Sequence, residues 1–127
     1  MSQDRTPTTP MTPRKIDTTP FHRLLAMAGP SAAPGIVLAF LDDLRSTEIG
    51  LGPAWDGPDC AALRLHSHVL IALAGTVGDT DLQAIAQRLN MFAHDRDKVE
   101  IDAIKGSTMR GIADLILTLT RLNLMEE

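Results

Sequence analysis

The chain has 127 residues, the size of one domain. Its 12 Lys and Arg against 16 Asp and Glu leave a net charge of −4, which argues against broad electrostatic affinity for nucleic acid or anionic lipid. Aromatic residues are 3% of the chain, with no tyrosine. That is too few for a strand-rich sandwich or a base-stacking platform, whereas 44% hydrophobic content supplies an Ala, Leu, Ile and Val core suited to close-packed helices.

Residues 1–20 hold Thr6, Thr8, Thr9, Thr12, Thr18 and Thr19 among Pro7, Pro10, Pro13 and Pro20. They have no apolar periodicity and are expected to form a disordered, partly extended tail ahead of a helical domain at 21–127. Phe21 to Ala28 reads as a short amphipathic helix stopped by Gly29-Pro30. A second helix is expected with Ser31 as its cap and Pro34 in its first turn. It carries Ile36, Phe40, Leu41 and Leu44 at helical spacing and fades at Gly50–Gly52. The stretch 50–58, rich in Gly and Pro, reads as a loop. Asp59 opens a third helix to about Val77, and the spacing of Thr80 and Gln83 predicts a capping box for a fourth, striped by Leu82, Ile85, Leu89 and Phe92. His94–Asp97 breaks that stripe. Asp97 and Glu100 repeat a capping spacing before a last helix bearing Ile101, Ile104, Ile112, Leu115, Leu119 and Leu122. Short connections after residue 58 favour antiparallel neighbours, so the expected fold is an all-α, up-down four-helix bundle with a short extra N-terminal helix.

A single cysteine, Cys60, can form neither an internal disulfide nor a thiolate cage, so a reducing compartment is expected. With no apolar leader and no apolar run of about 18 residues, the expectation is a cytoplasmic protein without membrane insertion.

The stretch Leu65–Gly78 carries the chemistry. Projected at about 100° per residue, Leu63, Leu70, Leu73, Ala74 and Val77 share a core-facing side. Arg64, Leu65, His68, Ile71, Ala72 and Gly75 fall on the other, which places His68 mid-helix on an outer face kept low by Ala72 and Gly75. His66 and His68 lie about 200° apart, which disfavours a shared metal ion, and His66 points toward the core as a half-buried structural histidine.

The order His68-Val69-Leu70-Ile71-Ala72-Leu73-Ala74-Gly75-Thr76-Val77-Gly78 resembles the core pattern of the histidine-containing phosphotransfer (HPt) domain family, a His followed by x-Leu-Lys-Gly-Ser-Ala-Gly-x-x-Gly. The His, the Leu two later, the Ala-Gly pair and the closing Gly coincide. Leu82, Ile85, Leu89 and Arg88-Leu89-Asn90 are similar to the family's next helix, and Leu24–Gly29 and Phe40–Leu44 to its opening helices. Three positions depart: Ile71 stands for the Lys, Ala72 for the Gly and Leu73 for the small residue after it.

The resemblance implies a phosphorelay component rather than an enzyme with independent turnover. His68 would accept and donate the phosphoryl group, with Asn90 hydrogen-bonding the imidazole or the phosphoryl oxygens and Arg64 adding positive charge. Leu65, Ile71, Ala72 and Gly75 would form the docking surface. The implied partners are the receiver domain of a hybrid sensor histidine kinase and a response regulator. Magnesium would sit on the receiver, with no cofactor or metal here. Losing the Lys removes a charge-assisted contact worth roughly 1.5–3 kcal/mol. Hence the alternative expectation is an HPt-like adaptor or kinase inhibitor that docks without being phosphorylated.

Overall fold

A computed structural model describes residues 14–126, with side chains through Leu124. Five α-helices pack together: α1 (Thr19–Ala28), α2 (Ala33–Ala54), α3 (Cys60–Val77), α4 (Thr80–His94) and α5 (Lys98–Glu126). There is no strand among the described residues. The four longer helices touch in the closed order α2, α3, α4, α5 and back to α2, with α3 and α4 sharing the most extensive contact. The short α1 rests on α2 and α3. One apolar core runs through all five, from Phe21 and Leu25 through Leu44, Leu70, Leu82 and Leu89 to Ile112 and Leu119.

Local chemistry accounts for the ends of these helices. Asp59 caps α3 by accepting from the Ala62 amide at 3.1 Å, and Asp97 does the same for α5 through the Glu100 amide at 3.2 Å. Both ends fall where the sequence places them. Gly78 closes α3 in the left-handed region at φ 109, which a side chain would resist.

Three expectations are corrected. The cap of α4 is Asp79, not Thr80: its carboxylate accepts from the Leu82 amide at 3.1 Å, and a carboxylate outcompetes a hydroxyl at a positive helix end. The start of α2 has no side-chain cap. Its N-cap is Ala32, Ser31 lies in the preceding turn, and Pro34 sits in the first turn as expected. The stretch 50–58 is not all loop, because α2 continues through Gly50, Gly52 and Pro53 to Ala54. Each glycine costs a helix about 1 kcal/mol. Burial of Leu51, Ala54 and Trp55 offsets that.

Of the segment expected as tail, residues 1–13 lie outside the described residues. Residues 14–18 run without helical structure against the bundle, and Thr19 and Pro20 begin α1. The Arg14 guanidinium donates two parallel hydrogen bonds of 2.9 Å to Asp79 and one of 3.1 Å to Asp114, and reaches the Gly111 carbonyl at 3.3 Å. Asp79, at 2% exposure, therefore caps α4 and holds the N-terminal segment at once. The hydrogen bond to Asp79, and then the charges of Asp79 and Asp114, raise the Arg14 pKa against the opposing effect of burial.

The expectation that no stretch matches the apolarity of a membrane span is also corrected. The 18 residues of α3 have a mean hydropathy of 1.4, long and apolar enough by composition alone. The count behind that expectation was broken by Arg64, His66, Ser67 and His68, which the flanking Leu, Ile, Val and Ala outweigh in the average. In this fold the most apolar face of α3, from Leu63 through Leu70 to Val77, is buried against its neighbours.

Candidate functional site

The middle of α3 divides as the projection requires. Leu63, Leu70, Leu73, Ala74 and Val77 are buried, and Arg64, Leu65, His68 and Ala72 are exposed. Ser67 joins the buried side at 0% exposure. His68 stands on the outer face, eight residues after the start of α3, in an open groove lined by Ala61, Arg64, Leu65, His68 and Asn90. Four of these lie on α3 and Asn90 comes from α4. The structure thus brings His68, Arg64, Leu65 and Asn90 together. Leu65, 62% exposed, and Ala61 give the groove an apolar wall beside its polar side chains.

Ile71 and Gly75 sit differently. Ile71 is half-buried and packed against the core. Gly75 is half-buried beneath the Gln83 carboxamide, which stands where a Cβ on residue 75 would go. The Gln83 side chain donates to the Ile71 carbonyl at 3.5 Å. Both residues therefore face the α3–α4 seam, while Ala72 keeps the outer face open one turn beyond His68. Arg88 lies outside the His68 groove: it lines a separate groove between α4 and α5 with Phe92, Glu100 and Ile104.

Asn90 is tied to α3. Its Nδ2 donates to the Arg64 carbonyl at 3.2 Å and to the Ser67 hydroxyl at 3.0 Å. Ser67 donates in turn to the same carbonyl at 3.1 Å. The helical ladder brings the His68 amide to that oxygen as well, so one carbonyl gathers donors from His68, Ser67 and Asn90. No hydrogen bond joins Asn90 to the imidazole in this structure.

His66 is half-buried, as its direction on the helix requires, and its ring lies over Gly50 of α2 in the space a Cβ would fill. Glycine at 50 is thus the complement of a histidine on the facing helix. Sequence reasoning missed Ser67, Gln83 and Arg14. For Ser67 the signal was present: Leu63, Ser67, Leu70 and Ala74 recur at the core spacing, and a hydroxyl there needs a partner. Nothing in the sequence pairs Arg14 with Asp79.

Among the described residues, no three His, Cys, Asp or Glu side chains are grouped to hold a metal ion. Cys60, the free thiol, is half-buried at the first turn of α3. Comparison with protein-family models, curated proteins and solved structures finds no match to this chain.

Proposed function

We propose that the chain is a histidine phosphotransfer protein of the HPt type. It relays a phosphoryl group between the receiver domain of a hybrid sensor histidine kinase and a response regulator. The four long helices form an antiparallel up-down bundle. The short connections after residue 58 and the pairing of Asn90 with Ser67 and Gln83 with Ile71 across α3 and α4 support that arrangement. Across α3 and α4 the partner numbers rise on one helix, from 67 to 71, as they fall on the other, from 90 to 83.

The observation that carries the reading is an exposed imidazole midway along α3, beside a guanidinium and a carboxamide in one open groove. The lone pair of a ring nitrogen attacks phosphorus of the receiver's aspartyl phosphate. The N–P bond forms as the acyl P–O bond breaks, the carboxylate stays on the receiver, and the other ring nitrogen keeps its proton in the resulting phosphoimidazolium. Arg64 offsets the charge of the arriving phosphoryl group, and the receiver supplies magnesium. Leu65, Ala61 and Ala72 offer a low apolar surface for the receiver to cover. Turnover belongs to the partners. The setting is the cytoplasm, without nucleic acid or membrane insertion.

The test is incubation with a phosphorylated receiver, followed by mass spectrometry under alkaline conditions that preserve phosphohistidine. The wild type gains one acid-labile phosphoryl group and His68→Gln gains none. Because His68 is exposed, that substitution shifts stability by no more than about 0.5 kcal/mol. Label persisting in His68→Gln sinks the proposal. Binding without label supports the second reading, a docking adaptor or kinase inhibitor, which the exposed Leu65 favours.

A further inference from the structure

We infer that Ser67 is a positioning residue for the His68 imidazole, acting through Asn90. Its purpose rests on the phosphotransfer reading above; its geometry does not.

A carboxamide has two N–H donors and one acceptor oxygen. The Asn90 Nδ2 is turned to the Arg64 carbonyl and the Ser67 hydroxyl together, which holds the carboxamide nitrogen-first against α3. Ser67 gives its own proton to the Arg64 carbonyl, so it meets Asn90 with a lone pair. The direction of every bond in this network is therefore set. Flipping the carboxamide would turn its oxygen against a carbonyl that offers no proton. Ser67 is fully buried, so water cannot take its place.

What Asn90 has left for the groove it shares with His68 is Oδ1, an acceptor. An acceptor has nothing to offer a phosphoryl oxygen. It suits an imidazole N–H. A ring turned to bond Oδ1 keeps its proton on the nitrogen facing Asn90 and its lone pair on the other, the one that must attack phosphorus. As the N–P bond forms the ring takes positive charge, and the N–H···O bond strengthens with it. Ser67 supplies this orientation without touching the imidazole or the substrate: it holds Asn90 the right way round.

The test is long-range 1H–15N NMR of the full chain at a pH where the ring is neutral, with the His68 signals assigned by their loss in His68→Gln. The tautomer ratio of His68 is expected to differ by roughly three- to tenfold from that of a histidine peptide, the range of one net hydrogen bond. In Ser67→Ala it returns to the peptide ratio, and Ser67→Thr, which keeps the hydroxyl, restores it. Asn90→Ala abolishes the shift as well, and the double variant adds nothing further; it also serves as the test if the extra methyl of threonine disrupts the core. A peptide-like ratio in the wild type, or an unchanged ratio in Ser67→Ala, overturns the proposal. The two readings fail separately. A responsive tautomer with no label on His68 removes the phosphotransfer function alone, and label on His68 with an indifferent tautomer removes the role of Ser67 alone.

Discussion

At the scale of single residues, the two histidines of α3 illustrate how direction along a helix assigns roles. His66 and His68 are two positions apart, and the structure sends one over the backbone of α2 and the other to solvent. Gly50 measures the first role. A methyl group there meets the His66 ring, so Gly50→Ala is expected to destabilise the protein by about 1–3 kcal/mol despite the better helix propensity of alanine. In a His66→Ala background the same change should cost little or become favourable. A double-mutant cycle by urea denaturation reads the coupling, and equal costs in the two backgrounds would remove the argument. Gly75→Ala is a gentler case, because the Gln83 carboxamide it displaces is the end of a flexible side chain. A net change within about 1 kcal/mol is expected. The opposite directions of His66 and His68 were legible from the sequence, since both follow from one helical projection. The Ser67–Asn90 bond was not, because its partners lie 23 residues apart on different helices and helical periodicity carries no information across that gap.

At the scale of elements, composition marked most helix ends but misread glycine. Gly50 and Gly52 look like breakers in a linear reading, and α2 runs through both. Gly50 is there for the space it leaves on the α2 face, which becomes visible only once α3 is in place. The shift of the α4 cap from Thr80 to Asp79 has the same character, since Asp79 has a second task in holding Arg14. Arg14→Ala leaves a carboxylate at 2% exposure without its cation. The expected loss is about 2–3 kcal/mol, less than for a fully buried pair because Arg14 itself keeps 29% exposure. Arg14→Lys should recover part of it, because an ammonium cannot make the two parallel bonds. Thermal melting followed by circular dichroism checks both, and an unshifted midpoint in Arg14→Ala would contradict the assignment. The entry to α1 depends on acid in a definable way. The Thr19 hydroxyl and amide hold the Asp17 carboxyl below its ordinary range. A depressed carboxyl contributes its full stabilisation at neutral pH and loses it as the pH falls below about 4. The protection factors of the amides at the start of α1, exchange rates corrected for their intrinsic pH dependence, should therefore fall on acidification, and Asp17→Asn should remove that pH dependence while lowering protection at neutral pH.

At the scale of the whole molecule, the helices close a ring whose two ends are built differently. One end is pinned by charge, with Arg14 set between Asp79 and Asp114. At the other, Trp55 to Pro58 lie beside the first turns of α5, Lys98 to Lys105. There the chain's single indole is buried, and its N–H has no hydrogen-bond partner among the described residues. An unmet donor of that kind costs about 1–3 kcal/mol, and any local opening that admits water recovers it. This makes Trp55 a built-in optical gauge. Its emission should be blue-shifted in the native protein. On warming, acrylamide should reach it several degrees before the helical signal at 222 nm declines, marking the junction of α2, α3 and α5 as the first region to open. Emission and ellipticity that change together would instead mean that both ends of the ring come apart in a single step.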